Sequence, residues 1–174
     1  MEKTLYRKAS RFGVTTRITL TAVLVALTVV LSPFYIPVGT TKVFPAQHMM
    51  NAMAGVLLGP WYAALMALGT SVIRNMLGLG TLYAFPGSIP GALVVGLLHR
   101  YVRATDYAGL AEPLGTVVVG ATLSALLVAP WQGQSLTLSF FWVAFAASSI
   151  PGSILGVVVL KAMRYLGVAR HFSR

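Results

Sequence analysis

Apolar runs follow one another along this chain at lengths close to what a bilayer-spanning helix needs, and that succession leaves few folds open. The first run, VTTRITLTAVLVALTVVL (14–31), stands behind a basic tail. Crossing the hydrocarbon core takes about 20 mostly apolar residues. Tail and run resemble a signal peptide. The run exceeds a usual signal-peptide core, however, and no small-x-small cleavage site follows it. It reads as a first, uncleaved transmembrane helix. The chain is 57% hydrophobic and 9% charged, against about 25% charged in soluble domains. An all-α integral membrane protein is expected, one domain over 1–174.

Six transmembrane helices are expected after a basic tail at 1–13: about 14–33, 45–58, 60–77, 86–104, 114–129 and 136–166. Glycine and proline mark the breaks. LGPW (58–61) turns the chain, and Pro60 suits a first helical turn. GLGTLYAFPG (78–87) and APWQGQS (129–135) read as loops, and RATDYAGLAEP (103–113) as a polar interruption. The last run is long: it is one helix kinked at Pro151, or two spans.

Charge chooses between these. Lys3, Arg7, Lys8, Arg11, Arg17, Arg100, Arg103, Lys161, Arg164, Arg170 and Arg174 make up eleven of the 13 basic residues. Six helices put all eleven on one side, the cytoplasm by the positive-inside rule. Both termini are then cytoplasmic. The net charge of +10 thereby belongs to membrane topology and not to nucleic acid. SIPGALVVGLL (88–98) also resembles SIPGSILGVVVL (149–160), either as similar apolar helix starts or as an old duplication.

The acids are Glu2, Asp106 and Glu112. In this topology all three fall on or near the cytoplasmic side, and none in the interior. Ion-driven carriers usually use intramembrane carboxylates. Neither P-loop, HExxH nor GxSxG patterns occur, and no acid is expected near a histidine. Cysteine is absent. No catalytic residue, metal site or cofactor is expected. The chain reads as a binder that neither transforms its ligand nor powers its movement.

Polar and aromatic residues gather at the expected outer ends. Gln47, His48 and Asn51 share a face of the second helix. Arg74 and Asn75 end the third. Tyr83 and Phe85 lie in the next loop, and Trp131, Gln132 and Gln134 in the last, with Trp142 beyond. Rings supply stacking area, amides and imidazole a few directional hydrogen bonds, which suits a small, flat, mostly neutral heterocycle. Plainer readings stand beside this one. Trp61, Tyr62 and Tyr101 read as an interfacial belt, and Trp131 as belt, packing or ligand contact. Gln47 and His48 either cap a helix start or bind ligand. Arg74 either pins loop carbonyls or faces the ligand.

KVFPAQHMMNAMAGVLLGPWYA (42–63) and RNMLGLGTLYAFPGSIPGA (74–92), with the six-helix size, resemble the ThiW family, over roughly 14–165. That resemblance implies a substrate-binding (S) component of an energy-coupling factor (ECF) transporter for hydroxyethylthiazole, the thiazole precursor of thiamine. It implies as partners the lipid bilayer of a prokaryotic cell membrane, one transmembrane coupling subunit and two ATPase subunits. It implies docking through an Ala-x-x-x-Ala on the first helix, here Ala22 and Ala26. Ala121 and Ala125 match the spacing too, and small residues at i and i+4 also serve plain packing. The ligand's ring nitrogen would meet His48 or an amide, its hydroxyl Asn51 or Asn75, and its ring Tyr83, Phe85 or Trp131. An S component for another vitamin and a stand-alone carrier are the alternatives.

Overall fold

The computed structural model describes residues 13–39 and 41–167. The basic tail up to residue 12, with His171, Arg170 and Arg174 at the other end, lies outside the described residues. Among those described, the chain forms six helices and one hairpin. Helix α1 spans Val14–Leu31. Strands β1 (Ile36–Val38) and β2 (Thr41–Val43) pair antiparallel, Ile36 opposite Val43 and Pro37 opposite Lys42. Helices α2 (Pro45–Leu58) and α3 (Pro60–Met76) follow. Both begin on a proline, where a missing N–H costs nothing. Between them Gly59 takes φ 85°, a left-handed angle that glycine adopts without a Cβ penalty.

Helix α4 (Ala84–Leu97) is continued by a wider π turn over Leu98–Val102. Helix α5 runs over Asp106–Trp131, opening as a tight 3-10 segment and then alternating α and π turns. Helix α6 is a single helix, Leu138–Tyr165. It passes unbroken through Pro151, so the long final run is one element. The Thr137 hydroxyl accepts the Phe140 N–H at 3.3 Å and caps its start.

Helix α2 is the axis of the bundle. Ten of its 14 residues are buried, and it packs on α6, α4, α3 and α1. Against α6 the approach is close enough to require glycine. A Cβ at Gly156 would lie 2.8 Å from the Ala52 Cβ and 2.9 Å from the Met49 carbonyl, and one at Gly152 would collide with the Pro45 carbonyl. Small residues let backbones meet where apolar burial against lipid gives no driving force. Methionines Met50, Met53 and Met66 fill the core around α2 and α3, while Tyr83, Phe141 and Phe145 form a second cluster near the α4 start. Helix α1 lies outermost, burying only Thr21, Leu24 and Thr28.

Three helices are long and apolar enough to cross a membrane: α1, α5 and α6. Helices α2 and α3 are shorter, and α2 touches protein on nearly all sides. Two expectations need correction. The segment 103–113 is not a polar interruption. Its residues Asp106–Ala111 are the first turns of α5, with Asp106, Ala108, Gly109 and Ala111 buried. Gly109 faces α2 and α6, where a Cβ would stand 2.9 Å from Val157 and 3.3 Å from Ala52. The second correction concerns acids. Glu112 is fully buried in the bundle, and Asp106 is held by Arg164 Nε at 2.7–2.8 Å. Paired or hydrogen-bonded, both charges can leave water.

Gly156→Leu should separate α2 from α6, since overpacking costs about 1–3 kcal/mol. Thermal unfolding of the purified protein in detergent is expected to show a lower midpoint; an unchanged one would contradict this packing.

Candidate functional site

The first two turns of α2 carry Gln47, His48 and Asn51, all buried, and hold them against three other helices. The arrangement has two storeys.

The lower one centres on Glu112. Its Oε1 lies 2.7 Å from His48 Nδ1, accepts Asn51 Nδ2 at 3.1 Å, and is 2.7 Å from the Thr116 hydroxyl. The same hydroxyl is 2.9 Å from the Gly87 carbonyl. Asn51 Nδ2 also donates to the Ser88 Oγ at 2.9 Å, tying α2 to α4. Glu112 Oε2 has no hydrogen-bond partner among the described residues. An acid in contact with a histidine was not expected from the sequence. The segment AGLAEP carries a signal in retrospect: its small residues recur at helical spacing, as a buried helix start requires.

Above lies a cavity that measures about 410 Å³ with the space open to the exterior included. Its walls are Lys42 and Phe44 from β2 and the turn into α2, Gln47 and His48 from α2, and Arg74 from the end of α3. Thr81, Tyr83, Ala84, Gly87 and Ser88 from the α4 start, with Phe145 and Ser148 from α6, complete it. The Arg74 guanidinium stacks 4.2 Å from the Phe44 ring centre. Its Nη1 donates to Gln47 Oε1, its Nη2 reaches the Leu79 carbonyl at 3.4 Å, and its Nε has no hydrogen-bond partner among the described residues. Arg74 thus pins a loop carbonyl and lines the cavity at once. The Tyr83 hydroxyl donates to Gln134 Oε1 at 2.7 Å, and burial raises its phenol above the ordinary value, so it remains an O–H. Phe44 N donates to Ser148 Oγ at 2.7 Å, which ties the hairpin to α6.

Of the residues singled out from sequence, Gln47, His48, Arg74 and Tyr83 meet in this cavity, and Gln134 touches it through Tyr83. Asn51 lies beneath it, its amide occupied by Ser88 and Glu112. Asn75 Nδ2 donates to the Ser71 and Thr81 carbonyls at 2.8 and 3.1 Å, bracing the α3–α4 loop. Phe85 is half-buried and Gln132 partly exposed, neither lining the cavity, while Trp131 is 78% exposed. Phe44, Thr81, Ser88, Phe145 and Ser148 were not singled out. Each is one apolar or hydroxyl residue within an apolar run, and only the fold shows which face it takes.

The cavity is lined by rings, hydroxyls, one amide, one imidazole and two cations. It can bind a small planar molecule and orient it by hydrogen bonds. No group of three or more metal-ligating side chains occurs among the described residues. No curated protein and no solved structure matches the chain. A family model does, described as thiamine-precursor transporter protein (ThiW), over residues 18–166. That match runs from the first turns of α1 to the end of α6 and includes every residue lining the cavity, so the chain belongs to the ThiW family of thiamine-precursor transporters.

Proposed function

We propose that this protein is the substrate-capture subunit of an ECF-type importer, taking up hydroxyethylthiazole at the outer face of the cell membrane. The observation that carries the reading is the cavity at one end of the bundle, roofed by the hairpin and lined by Phe44, Tyr83 and Phe145 beside Gln47, His48 and Arg74. Family membership supplies the substrate class, a thiamine precursor. A neutral thiazole offers a flat apolar ring for the aromatic wall, a nitrogen that accepts one hydrogen bond, and a hydroxyl that donates and accepts. Delivery then depends on an ATP-driven module of one coupling subunit and two ATPases.

The docking surface is α1. Ala22 and Ala26 are both exposed on it, whereas Ala121 on α5 is buried and Ala125 packs beside it. The competing Ala-x-x-x-Ala is therefore occupied by packing inside the bundle. A second reading gains one observation. Glu112 is a carboxylate inside the bundle, in contact with a histidine, which is the type of group that proton-coupled carriers use. Uptake into proteoliposomes that hold only this chain would favour that stand-alone carrier.

Three outcomes test the proposal. His48→Ala should weaken hydroxyethylthiazole binding by about 5- to 150-fold, the loss of one buried hydrogen bond, in calorimetry on purified protein. Asn51→Ala and His48→Ala each leave Glu112 short of a donor and should lower thermal stability, but Asn51 lies beneath the cavity, so its loss should change the affinity of the folded protein less. Unchanged affinity in His48→Ala would move the ligand elsewhere.

Ala22→Leu/Ala26→Leu should bind thiazole normally, yet fail in ATP-dependent uptake and co-purify poorly with the module. Ala147→Leu, at an exposed position on α6, is the control. Normal uptake by the α1 variant would remove that surface.

The third outcome concerns orientation. Since the chain has no cysteine, single cysteines report cleanly. Ser135→Cys should react with an impermeant thiol reagent in intact cells, and Ala104→Cys only after permeabilisation. The reverse pattern would invert the topology.

A further inference from the structure

His48 divides the two storeys of the site. It lines the cavity, while its Nδ1 lies 2.7 Å from Glu112 Oε1. That oxygen is already addressed as an acceptor by Asn51 Nδ2 and faces the Thr116 hydroxyl. The Asn51 amide N–H can only donate, so this oxygen already accepts, and the proton of the 2.7 Å His48–Glu112 contact is assigned to Nδ1. Among the described residues the ring's other nitrogen, Nε2, has no hydrogen-bond partner, and His48 lines the cavity.

The charges facing the ring come from several elements. Arg74 on α3 and Lys42 on β2 line the same cavity, and Glu112 on α5 touches the ring. Tyr83, Ser88 on α4 and Ser148 on α6 are neutral hydroxyls. A neutral ring with its proton on Nδ1 has a bare lone pair on Nε2.

We propose that Glu112 is a positioning residue that fixes the His48 proton on Nδ1, so that the cavity presents Nε2 as an acceptor and selects ligands carrying a hydrogen-bond donor, an alcohol or an N–H. This rests on the small-ligand reading of the cavity given above. For a hydroxyethyl-substituted thiazole it assigns His48 to the hydroxyl and leaves the ring nitrogen to another donor. A buried acceptor left unpaired is the strongest means of rejecting an analogue that lacks the donor.

The test has two readouts on the full-length protein at mildly alkaline pH. Nitrogen NMR of isotope-labelled histidine gives the tautomer of ligand-free His48, whose signal is identified by its loss in His48→Gln. The wild type should show the neutral Nδ1–H form. Glu112→Gln keeps an accepting oxygen and should preserve it; Glu112→Ala should not. The second readout compares the affinity of hydroxyethylthiazole with that of the same thiazole bearing an ethyl group instead. The wild type should prefer the alcohol by about tenfold or more, one hydrogen bond's worth. Glu112→Gln should keep that preference and Glu112→Ala bring it close to one.

An Nε2–H ring or an imidazolium in the wild type overturns the proposal. So does an unchanged preference in Glu112→Ala, since a purely structural role would lower the folded yield and leave the ratio alone. If Glu112→Ala does not fold, the wild-type tautomer and Glu112→Gln still decide. The Nδ1–H tautomer with neither thiazole bound supports the proton assignment and overturns the thiazole reading.

Discussion

A carboxylate sealed from water inside a helical bundle sets the terms for everything around it. Burying such a charge costs several kcal/mol unless donors meet it. Glu112 finds them on α2, through His48 and Asn51, and on its own helix, through Thr116. Asn51 extends the network to Ser88 on α4. Three helices are therefore held in register by one acid. The demand reaches the backbone as well. Gly91 lies where any Cβ would run into the Glu112 carboxylate and the Thr116 hydroxyl, so α4 can approach only because that position lacks a side chain.

The sequence made the helices of this bundle legible wherever apolar period and punctuation agreed. Pro45, Gly59 and Pro60 mark α2 and α3, and their bounds fall within a residue of the expectation. The hairpin Ile36–Val38/Thr41–Val43 falls in the gap between the first two expected helices, since three-residue strands carry too little alternation to register. The start of α5 was missed for a different reason. Asp106, Glu112 and a run of alanine and glycine look like an exposed connection when charge is taken to mean water. Here each acid is answered from a distant part of the chain, Asp106 by Arg164 and Glu112 by His48. Pairings across that much sequence leave no local trace.

The site was legible in part, and the division is physical. Gln47, His48, Arg74 and Tyr83 stand out because a polar group or ring at a helix end in an apolar chain demands a reason. Asn51 and Asn75 stood out on the same grounds, yet their amides are spent on Ser88 and Glu112 and on the Ser71 and Thr81 carbonyls. Sequence shows that an amide is anomalous. It does not show whether the answer is a ligand or a neighbouring carbonyl. Phe44 and Phe145 are the converse, ordinary in an apolar run and placed at the cavity only by the hairpin and by the close α2–α6 seam.

The unequal lengths of the helices bear on how the body sits among lipids. At 1.5 Å per residue, the 17 residues of α3 reach about 25 Å and the 28 of α6 about 42 Å, against a hydrocarbon core of about 30 Å. The outward face of α3, with Leu65, Leu68, Val72 and Ile73, falls short of that thickness, while α6 exceeds it. A stretch shorter than the core is met by thinning of the bilayer and a longer one by tilting, each at fractions of a kcal/mol per ångström. Hydrophobic mismatch of opposite sign on two sides of one body is a torque. Its size is set by the acyl chains of the surrounding membrane, so bilayer thickness becomes a variable of this protein's tilt.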